Sequence, residues 1–547
     1  MSSVAWRTIF ATSVFSSFAL VRYVPELLPS PKPTFIATFA QIWAAQVTIW
    51  VLWKVFLKPK YLSPLKHLPG PSGGSFWNGQ FRMVYGLGTG EAEAKWMESV
   101  PNNGFIRYLS QLNQERLIVT SPTIIAEICM RSYEFIKPPV LILLAGRLLG
   151  IGLVLSERDQ HKRQRKMFLP AFAPKHIKEL YPTYWAKAKE VTAKLTDHLR
   201  HNDSAFEVGH WASRSALDII TLAAFGKDFG AIQDPESPLS KVYRTVLTPT
   251  RGFLILTMLK ILVPAWIVGL IPVKYNTYQD EAVKTIRRTC REVLHEKKHK
   301  LANKSLEDKD ILSVCLKYEE VAHVDEEAVI DQMTTFLAAG HETIAVGITW
   351  AIYMLCVHPE WQSRLRDEAR TTISPPTGNS QVTSTDVERM PYLQAFCNEV
   401  LRWYPPIPAT MREATADCVL DNQFIPKGTR LFISIKGMNR DERFWGHDAK
   451  LFKPERWLGP DNRLDAIGGC NTKYGYLSFM QGPRNCVAQA FSKAEMACMV
   501  GAWISRFEFR LDNENLLDET KMEISGGSFS GKPLHGLHVK ARILEDW

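Results

Sequence analysis

The stretch that most constrains this chain lies near its C-terminal end, Phe479-Met-Gln-Gly-Pro-Arg-Asn-Cys-Val-Ala-Gln-Ala-Phe491. A glycine–proline turn there feeds a helical pattern, with Val487, Ala490, Phe491, Ala494 and Ala497 recurring at helical spacing. Cys486 therefore sits where a tight loop meets a helix N-terminus. Free amide N–H groups and the positive helix end favour thiolate at such a place. A thiolate presented by a loop, with Arg484 beside it, is able to ligate an iron cofactor. Taken alone, Cys486 reads more simply as a buried structural thiol, the usual state of a free cysteine. The two readings have to be separated by the rest of the chain.

At 547 residues the chain has room for roughly two to four domains. With 46% apolar and 22% charged residues it has the composition of a globular protein with a sizeable core. The net charge of +10 suits an acidic partner or an anionic membrane surface. The basic residues are scattered and no nucleic-acid motif accompanies them, so no nucleic-acid partner is expected. Nine cysteines are dispersed singly from Cys129 to Cys498, with no CxxC. That usage argues against a disulfide framework and for a reducing, cytosol-facing body.

Two apolar stretches open the chain. Thr8 to Val21 is uncharged but short, fenced by Arg7 and Arg22, and fits a signal-peptide core, an interfacial helix or a marginal span. Phe35 to Trp53 is nineteen residues without a charge and includes Trp43, Trp50 and Trp53, which suit a membrane interface. Lys54, Lys58, Lys60 and Lys66 follow and place the body on the cytoplasmic side by the positive-inside tendency. One span and two spans are both compatible with this pattern. Leu68-Pro-Gly-Pro-Ser-Gly-Gly74 cannot continue a helix and reads as a stiff hinge. The expected organisation is a membrane anchor over residues 1–57, a basic Pro/Gly hinge over 58–74 and one body over 75–547, without a second linker or repeat.

Within the body, Phe105–Leu112 and Arg116–Thr120 read as a strand pair and Pro122–Arg131 as a helix. Leu141–Leu155 is apolar without a clear period and reads as a buried or pocket-lining loop. His161 and Arg165 are four apart in a basic helical segment, on one face. That face is either solvated or aimed at the carboxylates of a bound cofactor. Phe253–Ile271 reads as an apolar surface facing lipid or substrate. Asp325–Val357 is the longest helical pattern, roughly 50 Å if continuous. It contains Ala338-Ala-Gly-His-Glu-Thr343, a small-residue patch in which the Thr343 hydroxyl can bond back to the Ala339 carbonyl. Glu342 beside Thr343 is an acid–alcohol pair able to relay protons, and close helix packing explains the small residues equally well. Glu399 and Arg402 lie one turn apart in an apolar helix that ends at Tyr404-Pro-Pro-Ile-Pro408. Arg412 follows, then a strand–turn–strand over Phe424–Ile435, then Arg456, the cysteine loop and a strand-rich tail.

Four segments in this order resemble the cytochrome P450 family. Phe479, Gly482, Arg484 and Cys486 match its haem-thiolate loop, and Glu399 and Arg402 its Glu-x-x-Arg helix. Phe452-x-Pro-Glu-Arg456 matches the segment that completes a Glu-Arg-Arg network, and Ala339-Gly-x-Glu-Thr343 the oxygen-activation groove. The wording is most similar to membrane-bound microsomal-type members of fungal secondary metabolism. Two positions depart from the family: Ala488 stands where glycine is usual, and His161 where many members have tryptophan.

The resemblance implies a mainly α fold, a helix-rich large lobe plus a small β-rich lobe, behind an N-terminal transmembrane anchor. It implies haem b (iron protoporphyrin IX) with Cys486 as axial ligand of the iron and Phe479 packed beside the sulfur. Arg484, Arg412, Arg165 and His161 would meet the haem propionates, and Thr343 and Glu342 would be the catalytic alcohol and acid. It also implies a monooxygenase that takes electrons from NADPH through a separate NADPH-cytochrome P450 reductase, with cytochrome b5 as a second donor. The substrate would be a hydrophobic small molecule, a polyketide or terpenoid intermediate, and the site the endoplasmic reticulum membrane with the catalytic domain in the cytosol. An enzyme of the same fold that rearranges peroxides and a non-catalytic membrane haem-binding protein are the competing expectations.

Overall fold

Proline and glycine punctuate the chain into helices whose caps are legible one by one. A computed structural model describes residues 3–28, 34–202, 204–246, 274–306, 308–317, 325–373, 382–525 and 530–544. The apolar stretch Phe253–Ile271 lies outside these residues. Both N-terminal stretches are helices, α1 (Ser3–Tyr23) and α2 (Phe35–Leu52). Helix α2 continues through Trp53–Leu62, where a widened π-type winding accommodates Pro59, which has no N–H to give the ladder.

In the body, α3 (Pro122–Met130) starts on proline, whose missing N–H is no loss in a first turn. Then come α4 (Pro139–Leu149), α5 (Arg158–Phe168) and α6 (Tyr181–His201). Helix α7 (Val208–Phe225) is capped by the Glu207 carboxylate, which accepts from the Gly209 and His210 amides, and α8 (Lys274–Ala302) follows. The central helix α9 (Glu326–Val357) runs 32 residues, and its second half is buried on every side. Two described helices are long and apolar enough to cross a membrane. Of these, α9 is 78% buried inside the body, whereas Phe35–Leu62 is 6% buried. Helices α10 (Pro391–Trp403) and α11 (Gln489–Arg506) complete the helical lobe.

The smaller lobe is a five-stranded sheet. Strand β1 (Phe105–Leu109) pairs antiparallel with β2 (Glu115–Val119), as expected. The spatial order is β1-β2-β8-β5-β3, with β3 Phe135–Ile136, β5 Ala409–Ala414 and β8 Arg430–Ser434. Ile106, Leu117, Leu431 and Ile433 of the sheet share one buried cluster with Ile124, Ile125 and Ile128 of α3. The tail supplies β9 (Phe507–Leu511) and β10 (His538–Ile543), joined by β4 (Phe206–Glu207). Phe424–Ile435 does hold two strands, but they belong to different sheets. Strand β7 (Gln423–Ile425) folds back on β6 (Cys418–Leu420) through a turn with Asp421 and Asn422 at positive φ, while β8 enters the main sheet.

One expectation needs correction. Leu141–Leu155 is helical to Leu149, and only its end is a loop. That loop is sealed to α9: Ile151 N–H donates to Asp331, Leu153 N–H to Gln332, and Thr335 Oγ1–H to the Leu149 carbonyl at 2.7 Å. The stretch Leu68–Gly74 lies along the edge of β1. The Pro69 carbonyl accepts from Arg107 N–H at 2.7 Å, Gln80 Nε2 donates to the Pro71 carbonyl, and a side chain at Gly70 would strike the Arg107 carbonyl.

Candidate active site

The cysteine loop is shaped by glycine and by one backbone bond. Gly482 sits at φ +80, and a Cβ there would approach Cys129 of α3 at 3.2 Å, so the turn needs glycine for conformation and for space. The Cys486 amide donates to the Phe479 carbonyl at 2.8 Å and closes the loop. Lys493 lies 5.8 Å from the Phe479 ring centre. Ala488 has φ −95, an ordinary conformation for any residue, so the loop tolerates alanine where the family has glycine.

Cys486 is exposed although protein surrounds it, and so are Ala339 in the middle of α9 and Ala490 in the first turn of α11. The two helices pack together, a Cβ on Gly347 lying 3.6 Å from Met496 Sδ. Burial pushes the Cys486 thiol up; the Ala488 N–H and the Arg165 charge pull it down by less. The helix-end argument for a free thiolate therefore captures only the smaller effect. Coordination to a metal is what deprotonates a thiol held like this.

Behind the loop lies a network that fixes it. Arg402 and Glu399 are fully buried and form a two-armed pair at 2.7 and 2.8 Å. The remaining Arg402 donors reach the carbonyls of Asn439, Ala449 and Leu451. Glu399 also accepts from Arg456 Nε, Trp457 Nε1 and the Lys453 amide. Asn439 in turn accepts from the Leu477 amide and donates to Ser478, two and one residues before Phe479. A carboxylate and two guanidiniums are thus carried into the interior with their hydrogen-bonding capacity used, the condition for burying charge.

On the other side of the loop positive charge accumulates. Arg484 pairs with Glu157 at 3.0 Å and donates to the Ser156 carbonyl. Arg165 grips Asn485, donating to its carbonyl at 2.8 Å and its side-chain oxygen at 2.6 Å. Buried Arg412 donates to Thr410 Oγ1 and the Met411 carbonyl. Lys137 lies 3.8 Å from the same Glu157. Burial, with Arg412 and Arg165 adding repulsion, brings Arg484 down to about 10. Burial, then Arg412 and Arg484, push Lys137 well below its ordinary value. His161 is lowered to about 3 by burial, Arg484, Lys137 and Arg165, so its imidazole is neutral across the physiological range and donates as a neutral N–H. One carboxylate against this many cations is a donor set suited to a dianionic group, and the two propionates of haem fit it. With the accessible Cys486 sulfur, the residues present fit haem b.

On α9, Thr343 Oγ1–H bonds back to the Ala339 carbonyl at 2.7 Å, as its spacing predicts. The small residues split their work between two faces. A Cβ on Gly340 would come within 2.7 Å of Ile220 of α7, so this glycine serves helix packing, while Ala339 and Thr343 lie on another face. Glu342 turns toward the tail, accepting from Ser530 Oγ at 2.8 Å and pairing with Lys532 at 3.3 Å. His341 is buried, 2.6 Å from Ser213 Oγ through Nε2. A surface cleft of about 340 Å³, lined by Met97–Asn102, Arg440 and Lys450 among others, shares none of these residues.

Sequence reasoning missed Glu157, Lys137, Asn485, Ser530 and Lys532. Glu157 and Lys137 carry a faint signal, because they flank two helix starts beside apolar runs. Nothing local marks Lys532 as the partner of an acid 190 residues away.

A family model described as Cytochrome P450 matches residues 98–533. The curated protein "Cytochrome P450 monooxygenase buaD" of Petromyces alliaceus is 52% identical over 534 residues, covering 96% of this chain and 97% of its own. "Cytochrome P450 monooxygenase sphH" of Aspergillus fumigatus is 38% identical over 524 residues, 94% of each. "Cytochrome P450 monooxygenase FUM15" of Gibberella moniliformis is 35% identical over 545 residues, 90% of this chain and 91% of its own.

Proposed function

The chain belongs to the cytochrome P450 family, and on that premise we propose that it is a haem-thiolate monooxygenase acting on a hydrophobic small molecule of fungal secondary metabolism. The observation that carries this is the accessible Cys486 sulfur, enclosed by protein and flanked by a buried excess of cations. Haem bound there would supply the redox chemistry, using O2, two electrons and two protons to put one oxygen atom into the substrate and release the other as water. The chain's own residues hold, orient and feed protons. Cys486 would give its sulfur to the haem iron, Arg412, Arg484, Arg165 and His161 would hold the propionates, and Lys137 would add charge beside them. The Glu399–Arg402–Arg456 network keeps the loop in register through Asn439. Thr343 can turn its proton away from the Ala339 carbonyl toward the reacting oxygen, and Glu342 replenishes it. The contacts to Ser530 and Lys532 orient that carboxylate.

Electrons come from a redox partner, which we take to be an NADPH-cytochrome P450 reductase, with cytochrome b5 as a second donor. The apolar helix near the N-terminus supports an anchor in the endoplasmic reticulum membrane with the body in the cytosol. The anchor is residues 1–57, the connecting segment 58–74 and the catalytic domain 75–547. The test compares wild type with Cys486→Ala. Wild type should give the thiolate-type spectrum of the reduced CO complex and consume NADPH only with reductase present. Cys486→Ala should lose that spectrum, and an unchanged spectrum would remove Cys486 as the ligand. Substrate conversion without O2 or reductase would favour the peroxide-rearranging alternative.

A further inference from the structure

Helices α1 and α2 lie against each other antiparallel. Trp6 packs on Trp43 and Trp50, with ring centres 6.0 and 6.2 Å apart, and Phe10 on Phe39 at 5.6 Å. Between them Gln46 Oε1 accepts from Thr12 Oγ1 at 2.9 Å and from Ser13 Oγ at 3.2 Å. The polarity of the pair is inverted. Ser13 and Ser17 are 0% exposed and Thr38 3%, while Phe10, Phe15, Phe18, Ile36 and Ile49 point outward at 56–79% exposure. In water such a pair is inside out. In hydrocarbon it is the stable arrangement, since each hydroxyl must find a partner within the protein and apolar surface loses nothing by facing lipid. Ser13 and Ser17 also donate to the carbonyls of Ile9 and Ser13. The inner seam explains why α1 is the less apolar helix: its Thr12, Ser13 and Ser17 face α2.

We propose that residues 3–62 cross the membrane twice, as a helical hairpin that leaves the N-terminus and the catalytic body on the same face. The proposal rests on the membrane-anchored reading above. Twenty-one residues of α1 span about 31 Å and eighteen of α2 about 27 Å, each close to the thickness of a bilayer core. The hairpin brings Arg7 to the end that carries Lys54, Lys58 and Lys60, so basic residues concentrate on the body's side. At that end Phe56 stacks on Phe76 at 5.2 Å and meets Trp77 edge-on at 5.2 Å, and Lys60 lies 3.7 Å over the Phe76 ring. Phe76 and Trp77 are 58% and 66% exposed, an aromatic and lysine collar of the kind that settles at headgroup level. A single pass by α2 alone would leave the outward phenylalanines of α1 in water.

The test uses the full chain made in microsomes with N-glycosylation acceptors in flexible insertions. One version carries the acceptor before Ser3, a second between α1 and α2, a third after Leu62. The inter-helix acceptor should be glycosylated and the other two should not. A glycosylated N-terminal acceptor, or an unmodified inter-helix acceptor, overturns the hairpin. Carbonate extraction of the same samples separates the two readings. A chain that pellets with a glycosylated N-terminus defeats only the hairpin, whereas a chain released to the supernatant defeats membrane anchoring itself.

Discussion

Arg402 has no exposed side-chain surface, and its guanidinium donates to Glu399 and to three backbone carbonyls from two segments, Asn439 and Ala449–Leu451. Removing it leaves Glu399 charged in the interior, a loss of about 3–5 kcal/mol for a buried pair of this kind. Arg402→Ala should therefore yield little folded protein with haem, measured as the ratio of haem absorbance to protein. Normal haem content would reduce the pair to an ornament of the helix. His341 shows the opposite economy, a buried group kept neutral. Burial, with the Lys532 charge, lowers it from 6.5 to about 4, against a smaller upward pull from Ser213. Between those values the unfolded chain binds a proton that the native state refuses. Stability from this residue is therefore flat above pH 6.5 and falls as pH drops, by about 3 kcal/mol near pH 4. Thermal midpoints followed from pH 7 to pH 4 should fall less steeply in His341→Gln; an identical slope would exclude His341 as a source. At this scale the residues joined by short spacing, Glu399 with Arg402 or Thr343 with Ala339, are legible in the sequence. Glu342 with Lys532 is not, because the tail that carries the lysine is placed by tertiary packing alone.

Among the elements, the junction between α4 and α9 is the most constrained. Gly150 sits at φ +69, and a Cβ there would run into the Asp331 carbonyl; a Cβ on Gly152 would crowd Thr335. The helix therefore ends where it does because Ile151 and Leu153, just beyond it, are bonded to α9. An apolar run that must serve first as helix and then as a backbone-bonded strap shows no single period, which is why the whole of Leu141–Leu155 reads as a loop in the sequence. Gly150→Ala combines positive-φ strain of about 1–3 kcal/mol with a backbone collision. It should lower the thermal midpoint by several degrees, whereas Ala145→Gly, inside the same helix, should cost only about 1 kcal/mol. Equal effects would show that the strap carries no strain. The long helices were legible because their period is sustained over many turns. Strand partners were not: β2 finds β8 some 300 residues later, in parallel, and no local pattern encodes that pairing.

For the whole molecule, the question is what joins anchor to body. Helices α1 and α2 pack on each other, α2 runs on into Trp53–Leu62, and that segment is tied to the body. Arg107 donates to the Pro59 carbonyl, Lys60 to the Phe76 carbonyl at 2.7 Å, and Ser63 to Glu115 at 2.7 Å. Deleting residues 2–52 should release the protein from the membrane with haem content and thermal midpoint unchanged. Extending the deletion through Leu62 removes the ties at Pro59 and Lys60 and should lower the midpoint; a midpoint insensitive to both deletions would show that those ties are incidental. The unbroken run from Phe35 to Leu62 then has a kinetic consequence. A body tied to a membrane anchor in this way would keep one flank against the bilayer, so a lipid-soluble substrate would meet it by lateral diffusion. Turnover should follow the mole fraction of substrate per lipid, and adding empty vesicles at constant total substrate should slow it by surface dilution.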